Sequence, residues 1–166
     1  MKKIAIITII FMIFLVSLQG CKKKESIDNE LSKNLNTKII SGDIIKSEDT
    51  HGGFHGDGKR IIVIKYNDDS VNSMLSNIQD NGQWSEFPLK ESLNLLMYGG
   101  SKDNVSYAYK FAENVGIPKI EHGYYCFVNR QTTIQDTDIL NSRSLNFTIA
   151  MFDSDNNILY YFEIDT

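Results

Sequence analysis

The spacing of hydrophobic and polar residues changes several times along this chain, and each change predicts a different element. Residues 4–16, "IAIITIIFMIFLV", form an uncharged, apolar run behind Lys2 and Lys3. Residues 22–38, "KKKESIDNELSKNLNTK", are polar and lack Gly and Pro, which predicts a tether of partly helical character. From Ile39 the chain becomes periodic. "IISGDIIKS" and "RIIVIKY" are β-branched runs on either side of the glycine-rich stretch "DTHGGFHGDGK", residues 49–59. This is a strand, loop, strand arrangement.

Helical spacing takes over next. Val71, Met74, Leu75 and Ile78 fall at i, i+3, i+4 and i+7, one face of an amphipathic helix that starts near Asp69 or Ser70. In "FPLKESLNLLMYGG", Pro88 suits a first helical turn, Leu89, Leu93, Leu96 and Met97 share a side, and Gly99 is a stop. "DNVSYAYKFAENVGIP" predicts a third helix, with Asn104 as its cap and Val105, Ala108, Tyr109, Ala112 and Val115 at helical spacing. The chain then returns to period two. "GYYCFVNR" reads as a strand, and "SLNFTIAMF" sets Leu145, Phe147, Ile149 and Met151 against Asn146 and Thr148, as a strand with one buried face does. "DSDNN" turns the chain into "ILYYFEI". Strands and helices are grouped and do not alternate as βαβ units, so the expected fold is α+β. It is an antiparallel sheet of about five strands with two or three helices on one face, forming one domain over residues 39–166. Half of Tyr124, Tyr125, Tyr160 and Tyr161 would line the open face.

The first apolar run has 13 residues, against roughly 20 needed to cross a bilayer core. A charged start, an apolar stretch and a small-residue site describe a signal peptide. The site itself is "SLQGC", with Leu18 three residues before the cut, Gly20 one before it, and Cys21 directly after. It resembles the lipobox of bacterial lipoproteins, a resemblance that covers the first 21 residues and leaves the body untouched. The resemblance implies a signal peptide over residues 1–20, a diacylglycerol on the Cys21 thiol, a polar tether over residues 21–38, and an address at the extracytoplasmic face of the cell membrane. Without it, the same residues read as an ordinary secretory signal in which Cys21 is incidental. One acyl chain binds a membrane reversibly and two hold a protein there, since each buried methylene contributes about 0.8 kcal/mol. Lys22, Lys23 and Lys24 would add about 1 kcal/mol each at an anionic surface.

Loss of residues 1–20 removes two lysines and leaves 146 residues with 15 basic and 21 acidic side chains, a formal charge of −6. An acidic body is a poor match for nucleic acid, whose binding needs clustered Lys and Arg. With Cys21 acylated, Cys126 stands alone and no intramolecular disulfide can form, so the body is held by its core. Cys126 lies among aromatics on a strand pattern and reads as a small buried hydrophobe. As a nucleophile it would have only His122 near it in sequence.

The stretch from residue 49 to 59 holds the richest candidate chemistry. His51 and His55, joined by Asp49, Asp57 or His122, are types that ligate zinc, and a small metal-dependent hydrolase built on this loop is the alternative reading. Its glycines and Lys59 also resemble a phosphate cradle, but Gly-Lys-Ser/Thr opening a helix is missing, so nucleotide binding is set aside. "DSDNNILYYFEI" begins like a calcium loop with Asp153, Asp155 and Asn157, then places Ile158 and Ile164 where glycine and an acid belong. No nucleophile elbow or serine-lysine motif is present. Trp84 reads as a core plug. The favoured expectation is therefore a non-catalytic binding domain of immunity, inhibitor or accessory type that requires no metal or other cofactor. Its contact surface is the hairpin loop with His51, Phe54, His55 and Asp57, directed at a protein, peptide or envelope component.

Overall fold

A computed structural model of the chain describes residues 26–52, 56–131 and 136–166. The signal-like segment with Cys21, and Phe54 and His55 of the glycine-rich loop, lie outside those residues. In chain order the elements are helix α1 (Ile27–Asn34), strands β1 (Asp43–Asp49) and β2 (Gly58–Lys65), helix α2 (Asp68–Gln79), strand β3 (Trp84–Glu86), helix α3 (Glu91–Tyr98), strands β4 (Gly100–Lys102) and β5 (Val105–Tyr107), and helix α4 (Phe111–Val115). Strand β6 (Gly123–Asn129), a 3-10 turn (Asp136–Asn141), and strands β7 (Phe147–Asp153) and β8 (Ile158–Asp165) complete them.

The expected α+β class and antiparallel sheet are found. Six strands pair antiparallel in the order β1-β2-β8-β7-β6-β3, and β4 and β5 form a separate two-stranded ribbon. The helices differ from expectation, because they cover both faces. Ile61, Val63, Ile149, Phe162 and Ile164 pack with Leu93, Leu96 and Met97 of α3 and Ala112 of α4. Ile62, Ile64, Ala150, Phe152 and Tyr161 pack with Leu31 of α1 and Val71, Met74 and Ile78 of α2. All seven residues of β7 are buried, including Thr148 at 2 % exposure. Thr148 and Ala150 look like an outward face in sequence, yet both are small enough to sit beneath a second helical layer. The tyrosines do not line an open face: Tyr125, Tyr160 and Tyr161 are buried, and Tyr124 is partly buried, its hydroxyl accepting from Gln79 at 2.8 Å.

Half of the expected tether belongs to this second layer. Leu31 and Leu35, one helical turn apart, are both 0 % exposed, and Ile39 follows at 5 %. Asp28 and Glu30 in the first turn of α1 and Lys33 in the last favour the helix dipole. Burying two leucines contributes about 1.5–3 kcal/mol each, so the packed body begins near Ile27 and not at Ile39.

The helix expected from Asn104 to Val115 is also replaced. Asp103 and Asn104 both take positive φ, 49° and 63°, which makes the tight turn of the β4–β5 hairpin. Only Phe111–Val115 remains helical, closed by Gly116 at φ 79°. Val105 and Ala108 matched the helical spacing by coincidence, because Asp-Asn turn chemistry outweighs the period there. Elsewhere the boundaries move little. Asn67 caps α2 by accepting from the Ser70 amide at 3.0 Å, and α3 begins at Glu91, three residues after Pro88. "DSDNN" is the expected turn, with buried Asp153 accepting from the amides of Asp155 and Asn156 at 3.0 and 3.1 Å. Gly123 is required where β6 begins: its φ is +142°, and a Cβ there would lie 1.9 Å from the Phe152 carbonyl oxygen.

Candidate functional site

The glycine-rich stretch is the connection of a β-hairpin. β1 and β2 pair up to Asp49 and Arg60, and Thr50 extends the ladder by donating its amide to the Lys59 carbonyl at 2.9 Å. Lys59 returns its own amide to the Thr50 hydroxyl at 2.9 Å. Gly58 has a steric reason, since a Cβ there would come within 2.5 Å of the His51 backbone.

His51 is not at the tip. Its amide donates to Asp49 Oδ1 at 2.9 Å, its Nδ1 lies 2.7 Å from the same oxygen, and its Nε2 lies 3.1 Å from Asp165 Oδ2 at the end of β8. The ring is only 22 % exposed and serves as the root of the loop. Asp57 is exposed, so of the two described members of the expected contact surface it is the one more fully presented to solvent. The His51 amide, followed by the neighbouring ring, holds the Asp49 carboxyl below its ordinary range.

Around His51 lies a polar network that the sequence pattern did not single out. Arg60 grips Glu30 of α1 with both terminal nitrogens, one bond at 2.9 Å, and places Nε 3.9 Å from Asp49 Oδ2. That grip lowers the Glu30 pKa and raises that of Arg60. Arg130, just past β6, pairs with Glu163 and donates to Asp165 at 2.8 Å and to the Ile164 carbonyl at 3.0 Å. Glu163 also accepts from the Tyr161 hydroxyl at 2.8 Å, which in turn accepts from Asn34 of α1 at 2.9 Å. Four acids and three basic side chains thus link α1, β1, β2, β8 and the end of β6. Two clues for it were present: Arg60 and Arg130 are two of only three arginines, and period two puts Tyr161, Glu163 and Asp165 on one face of β8.

The third histidine cannot join this end. His122 precedes β6, where Gly123 pairs with Asp153, and its Nδ1 lies 2.9 Å from Asp155 Oδ2 in the β7–β8 turn. That turn and Asp165 stand at opposite ends of β8, roughly 23 Å apart at the rise of an extended strand. His122 is therefore removed from the ligand set considered for the loop. Among the described residues, no three His, Cys, Asp or Glu side chains are grouped to hold a metal ion.

The remaining candidates take structural positions. Cys126 is 1 % exposed beneath α2, and burial pushes its thiol up to about 11. Trp84 is 8 % exposed and donates Nε1 to the Thr37 hydroxyl at 2.8 Å. A shallow apolar groove of about 310 Å³ runs between Phe87, Pro88, Tyr98 and Ile120, with Lys119 and Glu121 at its rim. Comparisons with family profiles, curated proteins and solved structures find no match. The function is accordingly read from the sequence signal and from this geometry.

Proposed function

We propose that the protein is a lipoprotein held at the extracytoplasmic face of the cell membrane through acylated Cys21, and that its body is a non-catalytic binding domain. The observation that carries the reading is the run from Lys2 to Cys21, a charged start, a 13-residue apolar run with Thr8 as its one polar member, and "LQGC". The geometry of the glycine-rich loop supports binding over catalysis. At the root of the loop, His51, Arg60 and Arg130 are each engaged by carboxylates of the same chain, and Lys59 lies over the Phe111 ring at 5.5 Å. A general base or a metal ligand needs a nitrogen free to take a proton or a cation, whereas these side chains fix the loop in place.

The packing of α1 changes what such an anchor does. Five residues, 22–26, separate Cys21 from the helix, and at full extension they span roughly 17 Å. The body would ride close above the headgroups, and its partner would be a membrane-proximal protein, peptide or envelope component. A stem of 17 residues, 22–38, would have allowed about three times that reach at full extension.

Cys21→Ser tests the anchor. Wild-type protein should incorporate radiolabelled palmitate and sediment with membranes, and the variant should incorporate none and either become soluble or accumulate unprocessed. A variant that is processed normally and still sediments with membranes would overturn the reading.

A further inference from the structure

β1 is the outermost strand of the six-stranded sheet, seven residues long, and every residue in it except Lys46 is exposed. Such an edge presents unpaired backbone groups, and proteins usually guard it with lysine, proline or a short strand. The opposite edge is guarded in this way: β3 has only three residues and Pro88 follows closely. On β1 the one lysine is turned away, because Lys46 donates to the Val115 carbonyl at 2.9 Å and lies 3.5 Å from Glu48. A bulge interrupts the register between Ile44 and Lys46, but the residue it displays is Ile45, 59 % exposed, beside Ile44 at 45 %.

The register shows which backbone groups are free. Thr50 donates to Lys59, so alternation makes Glu48 and Lys46 the bonded partners of Ile61 and Val63. The amides and carbonyls of Ser47 and Asp49 then point away from β2. Charge defines what would meet them. The strand carries Asp43, Glu48 and Asp49 against Lys46, a formal −2, and Asp57 extends the acidic side into the loop. Asp43 and Asp57 have no ion-pair partner among the described residues.

We propose that the outer edge of β1 is a docking edge, which takes an extended segment of a partner protein, bearing lysine or arginine alternating with apolar residues, as an added strand. Backbone pairing at Ser47 and Asp49 supplies the register, Ile44 and Ile45 receive the apolar side chains, and the acidic residues select the cationic ones. The formal −2 of the strand repels a second copy of the same strand and attracts a cationic one. This inference rests on the body being a binding domain and names the kind of partner it would take.

The test uses the full chain in non-ionic detergent, with a short peptide of alternating lysine and valine as probe and a glutamate-valine peptide for comparison. The cationic peptide should slow amide exchange at Ser47 and Asp49 by about tenfold or more, and its affinity should fall as salt rises. An Asp43→Lys/Glu48→Lys variant with an unchanged unfolding midpoint should lose that protection. Binding without protection at Ser47 and Asp49, equal protection by both peptides, or no binding would overturn the proposal. The anchor is judged separately: protection in Cys21→Ser protein with no membrane attachment in the wild type would sink the lipoprotein reading alone, and lipidated protein without protection would sink the docking edge alone.

Discussion

Replacing Leu31 with alanine decides whether α1 belongs to the folded body or to a tether. Leu31 is 0 % exposed and lies in the same apolar cluster as Ile62, Met74 and Phe152. The substitution removes three buried carbons, about 2 kcal/mol at 0.8 kcal/mol each. The cavity left behind raises the total to roughly 3 kcal/mol, within the 2–5 kcal/mol typical of buried leucines. Urea unfolding of the full chain reads the change directly, because Trp84, the only tryptophan, is buried in that same cluster. Asn29→Ala, on the exposed side of α1, is the control and should stay within about 0.5 kcal/mol of wild type. The midpoint of Leu31→Ala should fall while the slope of the transition is unchanged. If Leu31→Ala is as silent as Asn29→Ala, α1 is solvated and the short stem is wrong.

Cys126 should react slowly with a thiol reagent at neutral pH and quickly once urea unfolds the chain, since burial pushes its thiol up to about 11; fast labelling of the native protein would contradict its burial. The Asp155 carboxylate raises the His122 pKa above its ordinary 6.5, chiefly through their hydrogen bond. The contact therefore favours the charged ring, is fully present below that ordinary value, and is lost as pH rises through the raised one. Ring-proton NMR should place the midpoint above 6.5 in the wild type and lower it in Asp155→Asn. Trp84→Phe deletes the buried donor to Thr37 and should cost about 1–2 kcal/mol in urea; no loss would show that the bond contributes nothing.

The five long strands β1, β2, β6, β7 and β8 were legible because each is a run of β-branched and aromatic residues ending in a turn with its own chemistry, whereas β3, β4 and β5, of three residues each, are too short to show a period. "DSDNN" and the glycine-rich stretch both identify hairpins, and pairing the two flanking runs gives β1 and β2. The second helical layer was not legible from β7, because Thr148 and Ala150 occupy one parity and read as a solvated face. Residues 27–39 were hidden by composition: Leu31 and Leu35 are two apolar residues among many polar ones, and their four-residue spacing counts only when a sheet is there to receive them. In residues 104–115 one spacing fitted two structures, and the left-handed turn at Asp103 and Asn104 decided between them. At the site, His51 and its neighbour Asp49 were visible in the sequence, and the partner across the sheet was not. Asp165 is 114 positions away, and only the sheet order brings β8 beside β2.

The proposed anchor is an acylated Cys21 at the end of a five-residue stem. Mass spectrometry of the amino-terminal peptide of membrane-purified protein tests it most directly. The expected result is a peptide beginning at Cys21 and heavier than its sequence by a diacylglyceryl group, with residues 1–20 absent. An unmodified Cys21, or a chain that retains residues 1–20 or begins elsewhere, would contradict it.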